Sequence, residues 1–234
     1  MRITIISDNK ASKERLIGRH SLSVLIERNG VLYLFGLASD PYLLEYNTRK
    51  LGISLDVVDY VIISHEHRAH YGGFRYIASE APYISVFIPY GSMEYLGRLL
   101  SVNALRPREI VKWTVLDTGA HISEPYQGPP YEHFLVIERG EGLVVFSGCM
   151  HSGPQVLRAI SSYFGKKVDV IIGGFHLLNA PSDILEFYVK FLHDAIKPRV
   201  VIPLHCSGER LISELKKCGD IEVLEMGAGD EFEV

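Results

Sequence analysis

Val61-Ile62-Ile63-Ser64-His65-Glu66-His67-Arg68-Ala69-His70-Tyr71-Gly72-Gly73 runs from a short apolar stretch into three histidines within six residues and then a glycine pair. A β-branched run of that length with a turn signal behind it reads as a buried strand, and a buried strand delivers whatever follows it to the edge of its sheet. Three more apolar runs end the same way: Val144-Val145-Phe146-Ser147-Gly148-Cys149-Met150-His151, Val170-Ile171-Ile172-Gly173-Gly174-Phe175-His176 and Val200-Val201-Ile202-Pro203-Leu204-His205. Four such exits can converge on one rim, and imidazole is the commonest metal ligand at neutral pH. In an extended segment residues two apart point the same way, so His65 and His67 can hold one ion as a pair while His70 turns toward a neighbouring position. The helical zinc-protease pattern is excluded, because it needs histidines four apart on a helix; position 69 is Ala and the run before the histidines is strand-like.

Bulk properties narrow the class. The chain has 234 residues, 47% hydrophobic and 22% charged, with a mean hydropathy of +0.11, which is the composition of a compact folded protein rather than a disordered one. No apolar run approaches the ~20 residues that cross a bilayer, and Met1-Arg2-Ile3-Thr4-Ile5-Ile6-Ser7-Asp8 reaches charge too soon for a signal peptide. A cytoplasmic protein with no membrane partner is expected. Three cysteines, Cys149, Cys206 and Cys218, with no Cys-x-x-Cys spacing, argue against a disulfide framework. A net charge of -4 argues against general nucleic-acid affinity and leaves a small molecule as the expected partner. Nothing in the composition sets the oligomeric state.

The order of elements is legible over much of the chain. Strands are expected at 2–8, 21–27 and 31–36, the last two joined through Asn29-Gly30, a strong hairpin signal. A helix follows from Pro41 to Lys50 with Asp40 as its N-cap. Strand 59–63 runs into the histidines, then a helix to Ser79, strand 84–88 and a helix near 91–100. Residues 117–132, with their glycines and prolines, read as a loop. Beyond it come a helix from about 152 to 164, a strand beginning at Asp169, a helix at 183–194 capped by Ser182, strand 199–203 and a final helix at 209–218. Ile26-Glu27-Arg28-Asn29-Gly30-Val31-Leu32-Tyr33-Leu34-Phe35 aligns without a gap on Ile137-Glu138-Arg139-Gly140-Glu141-Gly142-Leu143-Val144-Val145-Phe146, identical at five of ten positions. One domain over 1–234 built from two related halves, about 1–116 and 133–234, is the reading that follows.

Ser64 to Gly73 resembles the His-x-His-x-Asp-His signature of the metallo-β-lactamase superfamily, with the Gly-Gly that commonly follows it. Ser147-Gly148-Cys149-Met150-His151-Ser152-Gly153, Gly173-Gly174-Phe175-His176-Leu177 and Leu204-His205-Cys206-Ser207-Gly208 are similar to the Gly-Cys-Ser-His-Ala-Gly, Gly-Gly-Phe-His-Leu and His-Cys-Thr-Gly motifs of one branch. That branch comprises metal-dependent hydrolases related to dihydropterin ribofuranosylaminobenzene phosphate synthase. The resemblance implies an α/β fold, an αββα sandwich of two ββα halves, with up to two metals at one edge. It implies His65, His67 and His151 as ligands of the first metal. His70 and His205 would serve the second together with an Asp that this chain lacks: Ala69 stands in its place, and Gly36 stands where the family has the Asp of a Phe-Asp-Thr-Gly turn.

With both carboxylates missing, a second dication would be balanced mainly by neutral imidazoles, so one zinc per chain and a weak second site are expected, manganese and iron remaining open. Three imidazoles on one zinc leave a coordination position for water, the basis of hydrolysis. The expected activity is hydrolysis of a small, phosphorylated or pterin-like molecule. Two alternatives stand beside it: a metal- or ligand-binding protein without turnover, motivated by Ala69 and Gly36, and a nuclease, disfavoured by the acidic balance.

Other residues carry two readings each. His176 contacts substrate or protonates a leaving group, or else closes a turn. Cys149 stands where many superfamily members place a bridging Asp, and is a soft ligand or a small buried residue. Cys206 is read as packing behind His205, and Asp40 as a helix cap or a carboxylate near the site. His121 belongs to a loop over the site or to the surface, and the tyrosines of 125–131 cover an aromatic ligand or simply order a connection. His20, His133 and His193 are read as structural.

Overall fold

The computed structural model describes residues 1–128 and 130–234. They form two compact units, one of residues 1–111 with 226–234 and the other of residues 112–225.

The first unit is built on β1 (Arg2–Ser7), β2 (Ser23–Arg28), β3 (Val31–Phe35), β4 (Tyr60–Ile62), β5 (Ser85–Ile88) and β6 (Arg106–Glu109), which lie side by side in chain order. The C-terminal strand Glu231–Glu233 pairs antiparallel with β1 at the outer edge. β1 to β3 form an antiparallel meander, whereas β3, β4, β5 and β6 run parallel, each return being made by helical chain. These returns carry α1 (Pro41–Leu51), α2 (Arg68–Tyr71), α3 (Phe74–Glu80) and a π-helical turn, Met93–Gly97, leading into α4 (Arg98–Ser101). α1 starts where Asp40 accepts the Leu43 N–H at 2.9 Å with Pro41 at the first helical position. It ends at Gly52, whose φ of 71° terminates it in the left-handed region. Its buried Leu43 and Leu44 join Val61, Ile63, Phe74, Ile77, Val86 and Ile88 in one apolar cluster, each large side chain contributing ~1.5–3 kcal/mol by leaving water.

The second unit repeats the plan. β7 (Thr114–Asp117), β8 (Ala120–Ile122), β9 (Leu135–Arg139) and β10 (Gly142–Ser147) pair antiparallel; β11 (Lys167–Gly173), β12 (Val200–Pro203) and β13 (Glu222–Val223) continue parallel. The returns carry α5 (Gln155–Phe164), α6 (Ser182–Lys190) with a π-helical turn at Phe191–Ile196, and α7 (Glu209–Cys218). Val156, Leu157 and Ile160 of α5, Leu185 and Tyr188 of α6, and Leu211 and Leu215 of α7 share a core with Val145, Ile171 and Val201.

The internal repeat is present in the backbone. Glu27 faces Leu32 and Arg28 faces Val31 in the first hairpin; Glu138 faces Leu143 and Arg139 faces Gly142 in the second. Each hairpin then feeds a parallel neighbour, β4 or β11.

Three expectations are corrected. Residues 117–132 are not a plain loop: β8 and the end of β7 lie inside the segment, and Tyr126 bridges Glu132. Glycine and proline density there marked the tight turns and hid the short strands between them. Pro129 lies outside the described residues. Ser182 does not cap α6; it is the first helical residue, and its Oγ accepts from Arg210 Nη2 at 2.9 Å. The helices expected near 91–100 and at 183–194 each widen into a π-helical turn at one end, which the apolar period does not encode. Among the described residues no helix is long and apolar enough to cross a membrane.

Candidate metal centre

β4 ends at Ile62, and three residues later the chain turns through His65, His67 and His70. His65 is fully buried. Its Nδ1 lies 3.0 Å from Ser64 Oγ, which fixes the ring and directs the opposite edge toward His67. There His65 Nε2 stands 3.1 Å from His67 Nδ1. The His70 ring centroid is 4.2 Å from that of His65. Two nitrogens bound to one tetrahedral zinc at ~2.0–2.1 Å are about 3.4 Å apart, so the His65–His67 pair needs almost no movement to share an ion. By donor type and spacing the cluster fits zinc.

Backbone contacts hold the motif in place. The Ala69 carbonyl accepts from Leu22 N–H at 3.1 Å and the His70 carbonyl from Leu37 N–H at 2.8 Å. The glycine pair is steric in origin: a Cβ on Gly72 would lie 1.9 Å from Ser39 O, and one on Gly73 2.1 Å from Leu37 O. The absent carboxylates differ in kind. Ala69 is a buried methyl. Gly36 has φ +78°, and a Cβ there would lie 2.5 Å from Leu22 O, so an Asp at 36 requires the backbone itself to move.

In the second unit three adjacent parallel strands, β10, β11 and β12, release the remaining candidates. Glu132, which no motif or period in the sequence singled out, organises the first exit. It is fully buried; Oε1 accepts the N–H groups of Cys149 and Met150 at 2.8 and 3.0 Å, and Oε2 accepts that of His151 at 2.8 Å. Burial pushes its carboxyl up to about 7 although the three N–H groups pull the other way. Tyr188 donates its hydroxyl to Met150 O at 3.3 Å. Met150, His176 and His205 all have left-handed backbones, with φ of 56°, 56° and 52°. For residues with a Cβ such geometry costs ~1–3 kcal/mol each, and it clusters at functional sites.

His151 and His176 come together, their ring centroids 4.5 Å apart; His205 leaves the adjacent strand and is nearly buried. Beneath them Cys149 and Cys206 bring their sulfurs to 3.2 Å, and Cys206 Sγ also accepts the His176 N–H at 3.2 Å. The hydrogen bond shared with Cys149, followed by those with His176, pulls the Cys206 thiol down to about 6. The same bond, with burial, pushes the Cys149 thiol up. The side-chain bond to Cys206 raises His176 above its ordinary 6.5.

The other candidates have structural roles. His121 lies in β8, not in a covering loop; its Nε2 is 3.0 Å from Glu138 Oε1 and its ring rests against Phe164. Asp40 caps α1 and accepts from Arg19 Nη1 at 2.9 Å. His193 pairs with Asp194 and Asp220 on the surface, His133 is buried and His20 exposed. Tyr126 packs edge-on against Phe134.

Residues 18–199 match the metallo-β-lactamase superfamily model. An uncharacterized protein of Methanocaldococcus jannaschii, MJ0448, is 24% identical, over 92% of this chain and 94% of its own. From the same organism, 7,8-dihydropterin-6-methyl-4-(beta-D-ribofuranosyl)-aminobenzene-5'-phosphate synthase is 25% identical, over 88% and 86%. The crystal structure of Tm1679, described as a metal-dependent hydrolase of the beta-lactamase superfamily, superposes with a TM-score of 0.85 at 26% identity, covering 100% of this chain and 99% of the other. The fold is thus the metallo-β-lactamase fold, the αββα class implied by the motifs, and proteins with it bind divalent metals, commonly zinc. The chain belongs to the metallo-β-lactamase superfamily.

Proposed function

We propose that this protein is a cytoplasmic metal-dependent hydrolase of a small phosphorylated or pterin-like molecule. Its ligands would be His65, His67 and His151 for a first zinc, with His70 and His205 serving a weaker second site. The observation that carries the reading is the convergence of His65 Nε2 and His67 Nδ1 to 3.1 Å at the exit of β4, with the His70 ring tilted against that of His65 at 4.2 Å. The assignment of His151 and His205 rests on the order and content of the motifs. A zinc ion held by imidazoles supplies Lewis acidity and brings the pKa of a coordinated water toward ~7.

The chain's own groups would do the rest. Ser64 and the Leu22 and Leu37 N–H groups hold the motif rigid. Glu132 fixes the backbone that carries His151. His176, whose hydrogen bond with Cys206 makes it hold a proton more tightly than an ordinary imidazole, is suited to protonate a leaving group or to grip an anionic substrate. The substrate class follows from likeness to the dihydropterin-type synthase.

Ala69 supports a second reading, a binding protein without turnover. Protein purified without chelator is expected to hold about one tightly bound zinc per chain on His65, His67 and His151, and to cleave a phosphomonoester or phosphodiester from a small-molecule panel. Two equivalents held tightly by His65, His67, His151, His70 and His205 would contradict the weak second site. Turnover seen only after Ala69→Asp would favour the binding protein.

A further inference from the structure

Within the second unit, Cys149, His176 and Cys206 are a set of donors of a softer kind than imidazoles alone. One leaves each of the three adjacent parallel strands β10, β11 and β12. Their donor atoms all lie within 4.8 Å of one another, and the two sulfurs are 3.2 Å apart. Sulfurs on one tetrahedral zinc at ~2.3 Å stand about 3.8 Å apart, so a small outward movement of the two thiols admits an ion.

The rest of the turn is shaped around the sulfurs. Gly174 lets Cys206 approach, since a Cβ there would come within 2.7 Å of its Sγ. The main chain of Cys206 is tied to β11's exit, its carbonyl accepting the N–H groups of Leu177 and Leu178 at 2.9 Å each. Glu132 fixes Cys149 through its N–H at 2.8 Å. Both thiols are buried, at 2% and 6% exposure, while His176 is exposed.

We propose that these three residues bind a thiophilic ion such as Zn²⁺, Cd²⁺ or Cu⁺. Two thiolates and one imidazole are a soft donor set that such ions prefer over hard ones. A divalent ion entering displaces the remaining thiol protons to solvent, forms two metal–sulfur bonds and one metal–nitrogen bond, and is neutralised by the two thiolates. One coordination position stays open, as in known sites with two cysteines and one histidine. Because His176 is then a ligand, the loaded state is an alternative to the one in which it serves the substrate, and thiophilic ions would slow turnover by occupying it.

The test is a Co²⁺ titration of metal-free protein kept reduced with a phosphine, read by the near-ultraviolet thiolate-to-cobalt charge-transfer band. The wild type is expected to develop the band with a definite end point. C206S and C149S should each lose at least half of it, whereas C218S should leave it unchanged. The double variant H65A/H67A should also leave it unchanged, which separates this site from the proposed catalytic metal: loss of cobalt d–d absorption with the charge-transfer band retained supports two distinct sites, and loss of the band in this variant overturns the proposal. Cobalt binding to wild type without a thiolate band, a band that survives C206S, or one that disappears in C218S would each overturn the proposal. The wild-type band requires no variant to fold.

Discussion

Glu132→Ala removes the acceptor of three buried N–H groups, those of Cys149, Met150 and His151. Each buried donor left unpaired costs ~1–3 kcal/mol, so the raw loss is about 3–9 kcal/mol. Relief of the desolvated carboxyl, the burial effect that pushes it up to about 7, offsets part of this and puts the lower half of the range in view. Glu132→Gln is the graded control. Its amide oxygen can still accept from Cys149 and Met150, which share Oε1, but its NH₂ meets the His151 N–H, leaving one donor opposed and costing ~1–3 kcal/mol. At ~2–4 °C per kcal/mol for a chain of this size, the Gln variant should melt about 2–12 °C lower and the Ala variant lower still. Circular dichroism melting of the metal-free protein at neutral pH checks the order. Because the clamp sets the backbone of His151, both variants should also bind zinc ~10–100-fold more weakly, the usual loss when support behind a ligand is removed. An Ala variant that melts with the wild type would refute the clamp.

Gly174→Ala drives a Cβ to 2.1 Å from Gly148 O; overpacking against backbone should cost ~1–3 kcal/mol, and an unchanged melting temperature would show that the strand exits are looser than described. Glu138 is held below its ordinary 4.5 by the hydrogen bond from Lys166 first and then that from His121. A lowered carboxylate stabilises the folded state above its ordinary pKa, and that contribution is lost as pH falls through and below 4.5. Glu138→Gln should therefore lose less melting temperature than the wild type between about pH 6 and about pH 3, and parallel curves would sink the assignment.

The histidine-bearing strand exits were legible because buried parallel strands are apolar throughout and stop at a polar residue, as at Ile63-Ser64-His65 and Leu204-His205. The repeat was legible for a related reason: hairpin register is set by a short turn, so Ile26 to Phe35 and Ile137 to Phe146 keep matching residues at matching ladder positions. Glu132 was not legible, because its role depends on three backbone N–H groups from residues 149–151 that carry no side-chain signature. β8 was hidden by its brevity among turn residues. The left-handed backbones of His176 and His205 could not be foreseen either, since residues with a Cβ enter that region only when the surrounding structure compels them. The departure at Gly36 has a cause that the sequence does not carry, a φ of +78° that favours glycine there.

A crystal structure with anomalous data at the zinc edge, from protein grown without chelator, tests the central claim most directly. The account predicts one strong peak at ~2.0–2.1 Å from imidazole nitrogens of His65 and His67, with His151 as the third ligand and weaker density by His70 and His205. No peak at His65 and His67, with full zinc occupancy elsewhere on the chain, would contradict it.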